Sequence, residues 1–337
     1  MATASELAAA RYRQVTTLTR SIVEMIQRLW RNMSAASIEA DLEGEMGAAI
    51  VAAVVAGQLT VAEGAQAFVA GAMAEQGGSA VPEALLLAEG FAGIAPDGGP
   101  LETLLFLPAI GVQRRLAAGM TGDQAMLGGL ADMARYTATS ISDTARSAAQ
   151  VGMAADRQCV AYTRVVTLPA CSRCIILAGQ QYPYSEGFLR HPNCDCQTVP
   201  LREADWAGVQ SPKQLMAAMS EAERRRVFTV AGADAISQGA DIGQVVNTRR
   251  GMDVAHIYGR TLQVTHEGAT RRSVYGRSRD RAGDQFGKFA GQRHGSPTSM
   301  RYWRSTKTPR LMPEEIFRIA DDRAEQLKLL KRYGYIV

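Results

Sequence analysis

Four of the five cysteines and one of the four histidines lie between Cys171 and Cys196, in CSRCIILAGQQYPYSEGFLRHPNCDC. Cys171 and Cys174 form a C-x-x-C pair, and His191, Cys194 and Cys196 follow in H-P-N-C-D-C. Soft ligands paired at both ends of a short loop suit tetrahedral Zn²⁺, because each tight turn supplies two corners. Five candidates compete for four corners. Cys171, Cys174, His191 and Cys194 give two knuckles of equal spacing; the alternative uses both cysteines of C-x-C and leaves His191 outside the ligand set. A redox pair would want a thioredoxin-like βαβ context, and a disulfide an oxidising compartment. The opening residues, MATASELAAARYRQ, hold no apolar signal core, so reduced thiols are expected. No H-E-x-x-H occurs and no general base stands beside the cysteines, so a closed structural zinc is expected.

A second chemistry is electrostatic. The net charge is only +4, yet Arg271 to Arg310 holds eleven Lys or Arg against Asp280 and Asp284. Arg271, Arg272, Arg277, Arg279, Arg281, Lys288, Arg293, Arg301 and Arg304 are the candidate phosphate contacts. Glycines recur among them, with Tyr275, Phe286, Phe289, Tyr302 and Trp303 interspersed. Unbalanced charge with few apolar residues predicts an extended or partly disordered arm. Such an arm is expected to bind nucleic acid, double-stranded DNA above all, without sequence preference and with strong salt dependence through counterion release, or else an acidic protein surface.

These groups need a scaffold, and most of it reads as helix. Val15, Leu18, Ile22, Met25, Ile26 and Leu29 mark one face of a helix over 11–33. Further helices are expected through Leu42 to Val54, from a Thr60/Glu63 capping box, from Pro82 to about Gly90, from Pro108 to Gly119, and over 121–150. Residues 1–150 contain no histidine or cysteine, so packing or assembly is a better expectation for them than acid–base work. The run from Ala48 to Ala56 falls short of the ~20 apolar residues of a membrane span. After residue 150 the texture turns mixed. Cys159 to Val166 reads as a strand, and Gln180 to Tyr184 as a short extended piece. Pro212 and Ser220 open helices, Leu262 to His266 suggests another strand, and a helix from Pro313 closes at Gly334. His256 and His266 have no partner at ligand spacing and read as structural.

The pattern C-x-x-C-x-x-L-A-G, then Tyr182-Pro183, R-H-P-N-C-D-C and Val199-Pro200, resembles the MuF-like minor head proteins of tailed phages. ADIGQVVNTRRGM (240–252), HEGATRR (266–272), RLMPEEIFRIADD (310–322) and the closing LLKRYGYIV resemble minor capsid proteins of actinobacterial phages in that group. Asp195 stands where the broader family often has Arg. The likeness runs over about residues 155–337.

The expected fold is α+β and predominantly helical. It comprises a helical assembly domain (1–150), a MuF-like domain with the Cys/His knuckle (151–270), a basic Gly-rich arm (271–310) and a C-terminal docking helix (311–337). The resemblance implies a non-enzymatic minor capsid protein, made in the host cytoplasm and carried in the phage head. Portal, major capsid protein and packaged DNA are its implied partners. The rival is a capsid maturation protease, but no G-x-S-x-G occurs and no Ser/His pairing stands out. A nuclease would want clustered carboxylates for a second metal, and none is evident.

Overall fold

The structure is a computed structural model describing residues 3–79, 81, 84–183, 196–203, 210–249, 252–257, 260–267, 287–289 and 303–336. At 253, 256, 257, 266, 267, 287–289 and 303–309 only the backbone is described. The chain divides into two units, residues 1–169 with 178–211, and residues 170–177 with 212–337. Predominantly helical α+β architecture is what the described residues form.

In the first unit, α1 (Ala4–Trp30) starts at a capping box. The Glu6 amide donates to the Thr3 hydroxyl at 3.2 Å, and the Glu6 carboxylate accepts from the Thr3 amide at 2.8 Å. Of the expected face Val15, Ile22 and Ile26 are buried and Leu18, Met25 and Leu29 partly so, while Trp30, which that face did not include, is buried with them. A short α2 (Ile38–Glu43) leads into α3 (Glu45–Glu75), which runs unbroken where the sequence predicts two helices. Thr60 does not cap; its hydroxyl donates to the Ala56 carbonyl at 2.9 Å. The capping motif is degenerate, because mid-helix threonine can bond back one turn. Among the described residues α3 is the helix long and apolar enough to cross a bilayer, by length and composition. Here it packs on α1 and on α5 (Gly122–Ala154), burying Ile50, Val54, Val61, Phe68 and Met73.

Residues 84–87 are not helical and lead to a 3-10 turn at Ala88–Phe91, so the helix expected up to Gly90 is not formed there; Pro82 itself lies outside the described residues. α4 (Leu101–Ala117) carries Pro108 inside it and not at its start. α5 begins as expected at Thr121, whose side chain caps Gln124.

The same unit holds a small antiparallel sheet, among the described residues in the order β2-β1-β3, of β1 (Ala161–Val165), β2 (Gln181–Pro183) and β3 (Gln197–Leu201). Tyr162 stacks on Tyr182 with centroids 5.4 Å apart. Both pack with Phe68, Met73, Met153 and Val199 in one apolar cluster. Gln76, at the end of α3, completes the open edge of β3. Its amide nitrogen donates to the Pro200 carbonyl at 2.8 Å, and its amide oxygen accepts from the Arg202 amide at 3.0 Å. Proline suits that edge, where a missing N–H breaks no ladder.

The second unit contains α6 (Ser172–Ile176), α7 (Pro212–Ala218), α8 (Glu221–Phe228), α9 (Val230–Ser237) and α10 (Ile242–Asn247). Its antiparallel sheet, among the described residues, has the order β4-β5-β7-β6. The strands are β4 (Met252–Ile257), β5 (Arg260–Glu267), β6 (Gly287–Phe289) and β7 (Trp303–Leu311). Within the segment expected to be an extended or partly disordered arm, residues 287–289 and 303–310 belong to two strands that pair with one another. Pro309 falls where the β5–β7 register shifts between Thr265 and Glu267, a tolerated place for proline. The expected closing helix is two helices, α11 (Pro313–Ile319) and α12 (Arg323–Arg332). Asp322 caps the second by accepting from the Glu325 amide at 2.8 Å. Leu262, Val264, Leu311, Ile316, Leu330 and Tyr335 share the core that unites sheet and terminal helices.

Candidate functional site

Cys171 and Cys174 are held by the first turn of α6. Cys171 occupies the N-cap, and its sulfur accepts from the Cys174 amide at 3.4 Å. That bond folds the C-x-x-C back on itself and sets the two sulfurs 3.4 Å apart. A disulfide needs ~2.05 Å, so these two are not bonded to one another. A tetrahedron with Zn–S of about 2.3 Å has an edge of roughly 3.8 Å, so small rotations would bring both sulfurs onto one zinc. Cys171 is exposed and Cys174 is 2% exposed, so the pair presents one sulfur outward and one inward. Within the second unit, α6 lies against α7 and α10.

Cys196 belongs to the first unit, immediately before β3, and is fully buried. Its carbonyl accepts from Arg146 Nε on α5 at 2.8 Å, and Arg146 is paired with Asp143 at 2.9 Å. The backbone at that end of the motif is thereby fixed to a long helix. His191 and Cys194 lie outside the described residues. Among the described residues no three metal-binding side chains come together. The donor chemistry of the Cys171–Cys174 turn fits zinc.

Of the nine basic candidates, Lys288 and Arg304 fall on described backbone. They are register partners across β6 and β7, beside Phe289 paired with Trp303. Arg271, Arg272, Arg277, Arg279, Arg281, Arg293 and Arg301 lie outside the described residues. Arg310, counted in the same basic run, is core: it is fully buried, donates to the Tyr333 carbonyl at 3.2 Å and lies 4.4 Å from the Tyr335 ring centroid. Its guanidinium is not available to phosphate. A stretch of charge in one dimension does not show which member is drawn inward.

Two further features lie outside the cysteine motif and the basic run. Thr229, between α8 and α9, has φ 67° and ψ 169°, a region used almost only by glycine. Its hydroxyl donates to Glu314 at 3.1 Å and accepts from Arg249 at 2.6 Å and from the Gly232 amide at 3.3 Å. Arg249 also donates to the Phe228 carbonyl at 2.8 Å. This joins a hydroxyl, a carboxylate and a guanidinium at a strained position, and it simultaneously ends α8, starts α9 and binds α11. The second feature is one of charge: from Asn32 to Gln113 the chain has ten acidic residues and no Lys, Arg or His.

Cys159, the thiol outside the motif, is 3% exposed. Burial pushes its pKa up to about 11, and its sulfur donates to the Ala161 carbonyl at 3.2 Å. It is the small buried group that its strand-edge position suggests.

No curated protein and no solved structure matches the chain. A sequence model for phage proteins, described as VG15 protein, matches residues 111–222. The matched stretch runs from within α4 to the start of α8 and contains the whole Cys171–Cys196 motif. It suggests a phage protein, of a structural or virion-related kind.

Proposed function

We propose that this chain is a structural, non-enzymatic minor head protein of a tailed phage, in the MuF-like sense. It joins the portal and major capsid proteins inside the head and touches packaged double-stranded DNA without sequence preference. The observation that carries this reading is the phage-family match over residues 111–222, which takes in the entire cysteine motif. Four of Cys171, Cys174, His191, Cys194 and Cys196 hold a structural Zn²⁺ in this proposal, supported by the folded-back Cys171–Cys174 turn. Metal binding there would add directly to folding free energy. The basic residues from Arg271 to Arg304 supply the phosphate contacts.

Mass spectrometry of purified particles of the encoding phage tests the assignment. The chain is expected as a stoichiometric head component, and its absence from mature heads would overturn the reading. Co-expression with the major capsid protein separates it from the protease alternative, since capsid chains are expected to keep their full mass. Elemental analysis is expected to find about one zinc per chain, lost on Cys174→Ser. DNA retention in gel shifts is expected to weaken steeply with added salt.

A further inference from the structure

Among the exposed apolar side chains of the first unit, two groups differ in the charge around them. The first is the connector after α3. Gln66 holds one edge of it, donating to the Ala84 carbonyl at 2.5 Å and accepting from the Leu86 amide at 3.2 Å. Leu86 is thereby turned against Ala62, Ala65 and Ala148. Leu85 and Leu87 on either side of it are left 82% and 74% exposed. Exposed Glu89 follows, within the stretch that has no cation from Asn32 to Gln113. Leu85 and Leu87 flank the clamped position and together form an exposed apolar ridge.

The second surface is a groove between α4 and α5. Leu107, Ile110, Met120 and Tyr136 line it, with Arg114 and Arg115 at its rim. Asp132 is the one carboxylate that lines it, and it is shared by Arg115 at 2.8 Å and Arg135 at 2.9 Å, so with Arg114 the groove keeps an excess of positive charge. Leu107, Ile110 and Met120 remain 39%, 37% and 48% exposed.

We propose that the ridge Leu85–Glu89 of one chain docks into the α4–α5 groove of a second copy. Leu85 and Leu87 meet the apolar floor at Leu107 and Ile110, and Glu89 meets Arg114. A ridge without cations and a groove with excess arginine are complementary in sign as well as in hydropathy. The ridge packs at Ala148 while the groove reaches α5 at Asp132 and Tyr136. Twelve or more residues of helix at 1.5 Å each separate them by roughly 18 Å or more. The two patches are thus different surfaces, so one copy can offer its ridge to one neighbour and its groove to another. Such a contact repeats from copy to copy, into a ring if the rotation closes and into a filament otherwise.

Sedimentation of the full chain over a concentration series tests this. The wild type is expected to grow past dimer as concentration rises, and growth is expected to weaken with salt. A ridge variant, Leu85→Asp with Leu87→Asp, and a groove variant, Ile110→Asp with Arg114→Glu, are each expected to stay monomeric. Their equimolar mixture is expected to form a one-to-one complex and nothing larger, because one intact ridge and one intact groove remain. A monomeric wild type, a groove variant that still self-associates, or a mixture that stays monomeric would each overturn the proposal. Glu89→Arg and Arg114→Glu provide an independent arm, and each alone is expected to lose affinity. Mixing these two single variants sets opposite charges across both unlike contacts: the altered ridge of the Glu89→Arg chain meets the altered groove of the Arg114→Glu chain, and the unchanged ridge of the latter meets the unchanged groove of the former. Association is therefore expected to recover in the mixture, and failure of that recovery also counts against the contact.

Discussion

Arg11 in the first unit and Arg310 in the second are both hidden from solvent, but they are accommodated in different ways. Arg11, on α1, donates to the Val61 carbonyl of α3 at 3.1 Å and to the Ala145 carbonyl of α5 at 2.9 Å. It also stands 5.2 Å from the Phe68 ring centroid. Its partners are 50 and 134 residues away in the chain. Burial lowers its pKa to about 10, the sign of a cation held against a desolvation penalty. Arg310 instead ties the end of β7 to the last turn of the chain, 23 residues on, through Tyr333 and Tyr335. The first arginine is a clasp among three long helices, and the second fastens a tail to a sheet. Loss of the first should therefore loosen a whole unit, and loss of the second should loosen an end.

The largest effects are expected from removing these side chains. Arg11→Ala is expected to destabilise the protein by about 3 kcal/mol, through lost packing and lost charge-assisted hydrogen bonds. Arg310→Ala should lose roughly 2–3 kcal/mol for the same reasons. Urea unfolding gives the magnitudes, and amide exchange gives the distribution. In the Arg11 variant, protection should fall along α1, α3 and α5 together. In the Arg310 variant, it should fall at β7 and α12 first. Arg11→Leu refines the point: it keeps the apolar stem's volume and removes the buried charge, so it is expected to lose less than Arg11→Ala.

Cys159 adds a pH test confined to the first unit. Its folded-state pKa, raised by burial to about 11, lies above the ordinary thiol value of 9.0. The folded state therefore holds a proton that the unfolded chain releases between those values. The associated stability is fully present below pH 9 and is lost as pH rises through about 11, by roughly 2–3 kcal/mol in all. Comparing wild type with Cys159→Ala from pH 8.5 upward isolates it: the alanine variant should show a shallower alkaline decline. Thiol alkylation near neutral pH, with metal removed by a chelator, should spare Cys159 and reach exposed Cys171.

Close packing of α5 gives a smaller effect. A Cβ on Gly129 would stand 2.5 Å from Val112 Cγ2 and 2.8 Å from the Trp30 ring. The ring cannot swing freely, because Trp30 Nε1 donates to the Met126 carbonyl at 3.1 Å. Helix propensity favours alanine by about 1 kcal/mol, while overpacking costs about 1–3. Gly129→Ala is thus expected to lose up to about 2 kcal/mol, read as a lower urea midpoint at unchanged slope.

The sequence made the periodic and capped parts of this fold legible. The α1 stripe, the Thr121 start of α5 and the Ser220/Glu223 box of α8 are where the residues place them. Motifs that are chemically satisfied in more than one setting misled. Thr60-x-x-Glu63 reads as a cap but sits in mid-helix, and Pro108 reads as a start but lies inside α4. The break between α11 and α12 was written in Asp322 and Glu325, yet the apolar stripe through Ile316, Ile319, Leu327 and Leu330 suggested continuity. The glutamine clamps were not legible at all. Gln58 holds the Ile94 carbonyl at 2.7 Å and the Gly93 amide at 2.9 Å, as Gln66 and Gln76 hold their own extended segments. A lone amide has no periodic signature, because its partners are far along the chain. At the cysteine motif, residue types suggested the chemistry, whereas the folded-back turn at Cys171–Cys174 required coordinates.

The smallest expected effect, at Thr229, separates strain from bonding in the second unit. A residue held at φ 67° and ψ 169° costs about 1–3 kcal/mol unless it is glycine. Thr229→Gly removes that strain, gives up a few tenths of a kcal/mol as a cap, and loses the bridge between Arg249 and Glu314, worth about 1 kcal/mol. These terms nearly cancel, so Thr229→Gly should lie within about 1 kcal/mol of wild type. Thr229→Ala keeps the strain and loses every hydroxyl bond, so it should lose about 1–2 kcal/mol more than the glycine variant. Thr229→Ser retains the hydroxyl and should stay near wild type. If glycine proved as damaging as alanine while serine was neutral, the hydroxyl's bonds to Arg249 and Glu314 would outweigh the backbone term. The second unit would then depend on a long-range clasp of the kind that Arg11 provides in the first, and the contrast between the two units would fail.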